Sequence, residues 1–166
     1  MSLTQSIKDL QSVATSAMAL FAQLKKAADG GRKATKAQKK RLGLLADRLD
    51  AGARKAARER RAAEIAQLTG IIDAHTTALA TPGLSAATRQ AIRANRTARV
   101  ARRGRLRAKA GTDFHGILTQ REIDNLAAAV SAARQAVARK KRAAGFLKAA
   151  IDIAQNALQI AGKLMM

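Results

Sequence analysis

The sequence predicts an all-α protein, organised as an elongated helical bundle or coiled-coil-like assembly of about four helices. Alanine, the strongest helix former, supplies much of the 48% hydrophobic content. The alternating apolar runs that are typical of strands are almost absent. Apolar seams with alternating spacings of three and four residues run along the chain, and two of the helices that they predict are about 45 residues long. We expect a single helical domain over residues 1–166.

The first helix is predicted over residues 3–28. Ser2 and Gln5 match a capping box, in which side-chain oxygens bind the N–H groups that the first helical turn leaves unpaired. Gly30 and Gly31 are expected to end the helix. Its seam consists of Leu3, Ile7, Leu10, Ala14, Ala17, Phe21, Leu24 and Ala28.

The second helix is predicted over residues 36–80. Thr35 and Gln38 mark its start, and Pro82 with Gly83 breaks the chain after it. Its seam has an early and a late part, separated by small residues that contribute little burial. These seam residues are Leu42, Leu45, Leu49, Leu68, Ile72, His75 and Leu79. We interpret His75 as a packed residue rather than a ligand.

A third helix is predicted over residues 86–110, between a cap at Ser85 and a closing Gly111. The fourth, over 120–164, begins with the capping box of Thr119 and Glu122. Its seam keeps one phase from residue 123 to residue 165, so we expect one continuous helix. The alternative is a break at Gly145, since three cations precede it. The seam consists of Ile123, Leu126, Val130, Ala133, Val137, Lys140, Ala144, Leu147, Ile151, Ala154, Leu158, Ala161 and Met165.

Positive charge is concentrated in the middle of the chain. The sequence holds 32 basic and 11 acidic residues, a net charge of +21, and 29 of the basic residues lie within residues 25–142. A small domain needs a net charge of only about 2–8 for solubility. The excess predicts a polyanionic partner for the basic middle, and the two ends of low charge predict a different role, namely self-association.

Arginine dominates the predicted polyanion site. On a helix, Arg89, Arg93, Arg96, Arg103 and Arg107 share one face, and alanines line the opposite face, which we expect to pack against another helix. The predicted binding residues are Arg54, Arg58, Arg61, Arg89, Arg93, Arg96, Arg99, Arg103, Arg107, Lys140, Lys141 and Arg142. The predicted self-association residues are Leu3, Ile7, Leu10, Phe21, Leu24, Ile123, Leu126, Val130, Val137, Leu147, Ile151 and Leu158.

Several classes of site are disfavoured by composition. The chain has no Cys, which excludes disulfides and thiolate chemistry, and no Trp or Tyr on which single-stranded bases would stack. Asp113 and His115 lie in a glycine-flanked loop, but no third catalytic partner accompanies them in the sequence. We predict no catalytic residue, metal site, cofactor or small-molecule substrate.

These patterns predict a non-enzymatic structural or assembly protein. It would form homo-oligomers through its seams and bind nucleic-acid phosphates with little sequence preference, in a virion-internal, packaging or nucleoid-type role. DNA and RNA are not distinguished. The alternatives are a membrane-active or channel-forming assembly of the delivery or ejection type, attracted to an anionic membrane surface, or a subunit that docks on an acidic protein. The N-terminus does not resemble a secretory signal, so we expect a cytoplasmic location or a particle assembled in the cytoplasm.

Overall fold

The structure, a computed structural model, describes residues 2–108 and 113–166. Within these residues it contains α-helices and one short 3₁₀ helix, and its only β pairing is an isolated bridge. The all-α class is therefore confirmed. The helices are α1 (Leu3–Asp29), α2 (Lys36–Leu79), α3 (Ala86–Arg107), α4 (Gln120–Arg139) and α5 (Leu147–Met165), with the 3₁₀ helix at Ala143–Phe146.

Side-chain caps fix the starts of these helices. The hydroxyl groups of Ser2, Ser85 and Thr119 each accept a hydrogen bond from the backbone N–H three residues later. Thr35 exchanges two such bonds with Gln38 at the start of α2. Helix α3 ends at Arg107, and the predicted closing residue, Gly111, lies outside the described residues.

The chain groups into two compact units, although the sequence analysis treated it as one domain. The first unit comprises Met1–Ala57 and Leu118–Met166, and the second comprises Arg58–Ile117. Helix α2 contributes residues to both units.

In the first unit, α5 packs against both α1 and α4. Helices α1 and α5 are antiparallel, because Gln11 lies beside Met165 near one end and the carbonyl of Arg32 lies beside Ala143 at the other. Most of the predicted seam of α1 and α4 is buried or half-buried here. Ile7, Leu10, Leu24, Leu126 and Val130 are buried, and Leu3, Phe21, Ile123 and Val137 are half-buried.

The prediction of one continuous helix over 120–164 is wrong. Helix α4 ends at Arg139, and Lys140 has extended backbone angles, with φ −91° and ψ 149°. The chain then turns through the 3₁₀ helix and reverses direction, so α5 packs back on α4. Because of this break, the residues of α5 that are buried differ from those that the seam predicted. Leu147 and Ile151 are half-buried and Leu158 is 54% exposed, whereas Ile153, Ala157, Ile160 and Leu164 are buried.

In the second unit, α3 lies antiparallel to the part of α2 that belongs to this unit. Arg103 contacts Thr69 and Arg96 contacts Thr76. A step of seven residues back along α3 thus matches a step of seven residues forward along α2. The small apolar core consists of Leu68, Ile72, Leu106, Phe114 and Ile117. The predicted packing face of α3 is wrong. Its alanines Ala91, Ala94, Ala98, Ala101 and Ala108 are exposed.

None of the helices within residues 2–108 and 113–166 combines the length and the hydrophobicity needed to cross a membrane.

Candidate nucleic-acid interface

Two basic loops of the first unit are joined by an antiparallel bridge between Lys33 and Arg142. The N–H of Ala34 donates to the carbonyl of Lys141 at 2.9 Å, and the N–H of Ala143 donates to the carbonyl of Arg32 at 3.1 Å. In a bridge of this type the facing residues form the non-hydrogen-bonded pair, whose Cα atoms are about 4.5 Å apart. Lys33 and Arg142 therefore project from neighbouring positions on one face.

The bridge collects six exposed cations, which we call the cationic pole. Its members are Arg32, Lys33, Lys36, Lys140, Lys141 and Arg142. The sequence segments around the bridge, residues 30–46 and 125–151, contain no Asp or Glu. Like charges that face each other across a β pair destabilise it. A bound anion would relieve that repulsion, so the cationic pole favours occupation by anionic groups.

Lys140, Lys141 and Arg142 were predicted binding residues, and the structure brings them together in this pole. The sequence analysis missed their partners Arg32 and Lys33. No local pattern could indicate the pairing, because about a hundred residues separate the two loops along the chain. The absence of acids on both segments was the only available signal.

The predicted arginine face of α3 is divided by the structure. Arg89, Arg96 and Arg103, which we call the inward arginine row, point at α2. Arg96 Nε donates to Thr76 Oγ1 at 3.0 Å, and Arg103 Nη1 donates to Thr69 Oγ1 at 3.1 Å. Arg89 Nη1 donates to the carbonyl of Leu79 at 2.8 Å, at the C-terminal end of α2. These guanidinium groups fasten the helix pair together, and their acceptors are uncharged, so the positive charge is not neutralised.

The remaining predicted residues of α3 are Arg93, Arg99 and Arg107, which we call the outer arginines. All three are exposed, and none forms an ion pair or a side-chain hydrogen bond with another described residue. The second unit carries 12 basic and four acidic residues in its sequence. The outer arginines, together with the exposed Arg105, are therefore the cations of α3 that are available to a partner.

The predicted arginines of α2 have intramolecular partners. Arg54 pairs with Asp50 at 3.2 Å and Arg58 pairs with Asp113 at 3.1 Å. Arg61 Nη1 donates to the carbonyls of Asp113 and His115 at 2.8 and 3.2 Å. Arg58 and Arg61 thus hold the loop after α3 in place, a positioning role that the sequence analysis did not assign.

The titratable loop residues have structural contacts. His115 Nε2 lies 2.8 Å from the carbonyl of Arg105, and Asp113 pairs with Arg58. His75 is half-buried on α2, and its Nδ1 atom is buried without a hydrogen-bond partner among the described residues. Within the described ranges, no three His, Cys, Asp or Glu side chains cluster as a metal site would require.

Neither a protein-family model, nor a curated protein, nor a solved structure matches this chain.

Proposed function

We propose that the protein is a non-enzymatic structural or assembly protein that binds nucleic-acid phosphates with little sequence preference and self-associates through low-charge helical faces into a bundle or coiled-coil-like assembly. A virion-internal, packaging or nucleoid-type role fits these properties. The observation that carries the proposal is the cationic pole, where Lys33 and Arg142 face each other and the segments 30–46 and 125–151 contain no Asp or Glu.

Phosphate contact is the mode that these side chains favour. The planar guanidinium of Arg142 binds two phosphate oxygens at once, and Lys33 and Lys141 supply point charges beside it. The chain has no Trp or Tyr and only three Phe. Phe114 and Phe146 are buried. Stacking on bases is therefore disfavoured, and binding should follow the phosphate backbone.

The packing of α5 weighs against the membrane alternative. The broad apolar face of this helix is buried in the first unit, where α1 and α4 cover it. Insertion into a bilayer interface would require α5 to leave these helices first. An acidic protein partner would use the same exposed cations as a nucleic acid. Competition between DNA and an acidic protein for binding therefore distinguishes these two hypotheses.

The test is binding to random duplex DNA at several salt concentrations. If about 6–8 phosphates are contacted, log affinity should fall against log salt with a slope of about −5 to −7. The variant Lys33→Gln/Arg142→Gln removes two cations from the pole. Its slope should become shallower by about 1.8, since each lost phosphate contact contributes about 0.9.

The matched control is Lys8→Gln/Arg121→Gln, which removes two exposed cations near the N-terminal ends of α1 and α4, away from the bridge. It should keep the slope of the unmodified protein. Equal losses in the two variants would show that net charge rather than the pole drives binding. Negligible binding at low salt, or leakage of anionic liposomes without DNA binding, would overturn the proposal.

A further inference from the structure

An uncharged strip lies along the line where α1 and α5 meet in the first unit. Gln11 Nε2 is 4.0 Å from Met165 Sδ. Because the helices are antiparallel, stepping seven residues along each of them places Met18 opposite Leu158. Met18, Leu158 and Met165 are 43%, 54% and 60% exposed, so three large apolar side chains are exposed next to one another.

Between the exposed Lys8 and Lys25, which flank the strip on α1, the neighbouring positions on the same faces are also uncharged. We call the whole set the neutral strip, and its members are Gln11, Thr15, Met18, Ala22, Gln155, Leu158, Gly162 and Met165. A side chain added at Gly162 would meet open space, so the strip is flat enough at its centre for another helix to approach closely.

We infer that the neutral strip is the contact surface for a second copy of this chain, used when copies lie side by side on a polyanion. This inference rests on the proposed function. Two molecules that each carry a net charge of +21 repel each other. They can approach only through a face that lacks charge and only where a polyanion compensates the rest.

A rival contact point lies on α2. Among the described residues of its first-unit segment, Leu44 is the one large apolar side chain that is exposed, at 53%. It lies beside Arg41 and Arg48. A second copy would meet like charge there, whereas no cation belongs to the neutral strip. Charge therefore favours the strip over Leu44 as the place where two copies meet.

The size of the strip indicates a contact that is weak in free solution. Residues 11–22 span about 17 Å of helix. Two adjacent helices, each about 10 Å wide, therefore give the strip a surface area of about 300–400 Å². A stable complex buries about 800 Å² per partner. The contact area alone therefore provides too little binding free energy for a stable dimer. Binding of neighbouring copies to one polyanion compensates for this, because it raises their effective concentration. The contact is therefore expected to appear as cooperative binding.

Cross-linking tests the contact directly, since the chain contains no Cys. A two-fold contact uses the same surface patch on both copies, so residue 158 of one copy lies close to the neutral strip of the other. With long duplex DNA and a short bis-maleimide, Leu158→Cys should form cross-linked dimers and Leu44→Cys should not. Equal yields from the two variants would mean that crowding on DNA alone produces the cross-links, and that result would overturn the inference, as would no dimer from Leu158→Cys.

Binding to two lengths of DNA separates the two proposals. A duplex that holds one copy measures phosphate binding alone, and a long duplex adds contacts between copies. Met18→Gln/Leu158→Gln should bind the short duplex normally and the long duplex about tenfold more weakly than the unmodified protein. The control Leu44→Gln/Val100→Gln removes two other exposed apolar side chains and should match the unmodified protein on both.

If the unmodified protein fails to bind the short duplex, the proposed function is wrong. If it binds the short duplex but gains nothing on the long one, the neutral strip is not a contact surface and the proposed phosphate binding stands.

Discussion

Arg102 and Glu64 form a two-point ion pair in the second unit. Arg102 Nε lies 2.9 Å from Glu64 Oε1, and Nη2 lies 3.2 Å from Glu64 Oε2. The same Nη2 also donates to the carbonyl of Gly116 at 3.1 Å. One guanidinium therefore joins α3 to α2 and to the loop that follows α3. Arg102 was absent from the predicted binding residues, and its role in the structure is to hold this unit together.

Glu64→Gln should destabilise the second unit by about 1–2 kcal/mol. The variant removes the charge that balances Arg102, and these side chains are 34% and 21% exposed, between the surface and buried cases. Hydrogen exchange of the α3 amides measures the effect. Asp73→Asn removes an exposed carboxylate of α2 that has no ion pair among the described residues, and it should leave exchange unchanged. Equal protection in the two variants would contradict the assigned role.

The outer arginines should contribute to DNA binding, whereas the inward arginine row should contribute to the stability of the second unit. Replacing all three outer arginines by Gln, at positions 93, 99 and 107, should leave the helix content intact and make the salt slope for DNA shallower by up to about 2.7. Replacing the inward row by Gln, at positions 89, 96 and 103, should instead lower the stability of the second unit by about 1 kcal/mol for each hydrogen bond lost. Both variants lose three charges.

Circular dichroism and salt titrations of these two triple variants provide the check. A loss of helix in the outer variant, or a shallower salt slope in the inward variant at full helix content, would show that the two sets have the opposite roles.

The helix class and the helix starts could be predicted because their causes are local. The hydroxyl of Thr119 and the carboxylate of Glu122 are three residues apart, and the capping box that they form needs nothing from the rest of the chain. The end of α4 has a distant cause. Lys140 to Arg142 leave the helix to pair with the loop around Lys33, and a seam pattern contains no information about that partner.

The predicted orientation of α3 is wrong because alanine offers little apolar area to bury. Burying a row of methyl groups such as Ala94 and Ala98 gains little, since hydrophobic stabilisation scales with area. The stems of Arg96 and Arg103 cover more surface, and their guanidinium groups reach oxygens on α2 that would otherwise bind water. Spacing showed that the arginines share a face. It could not show that the centre of that face points inward.

Gly116 should tolerate a side chain less well than Gly83, although both have positive φ, at 74° and 84°. A Cβ at Gly116 would lie 2.9 Å from Cδ2 of the buried Leu106, whereas a Cβ at Gly83 would meet nothing within 4 Å. Gly83→Ala should cost about 1–2 kcal/mol from the backbone alone. Gly116→Ala should cost about 1–3 kcal/mol more because it also overpacks the core. Denaturant unfolding measures both, and equal costs would show that Leu106 moves aside freely.

Glu122 should make the first unit sensitive to acid. Burial of the carboxyl raises the pKa of Glu122, but hydrogen bonds from Lys163 Nζ and from the N–H and hydroxyl of Thr119 outweigh it, and the pKa lies below its usual 4.5. A carboxyl whose pKa is lower in the folded state stabilises that state above about pH 4.5, and the contribution disappears as the pH falls through the folded pKa. Unfolding free energy should therefore drop as the pH falls below about 4.5.

Glu122→Gln should flatten this part of the pH profile and lower stability at neutral pH by about 1–2 kcal/mol, because the ion pair with Lys163 is lost. Lys163→Gln should reduce the same pH dependence only in part, since the bonds from Thr119 to the carboxylate remain. Asp124→Asn, on the same helix, removes a carboxylate that accepts from Gln120 and pairs with no cation among the described residues. Its profile should follow the unmodified protein, and an Asp124→Asn profile as flat as that of Glu122→Gln would remove Glu122 as the source of the acid sensitivity.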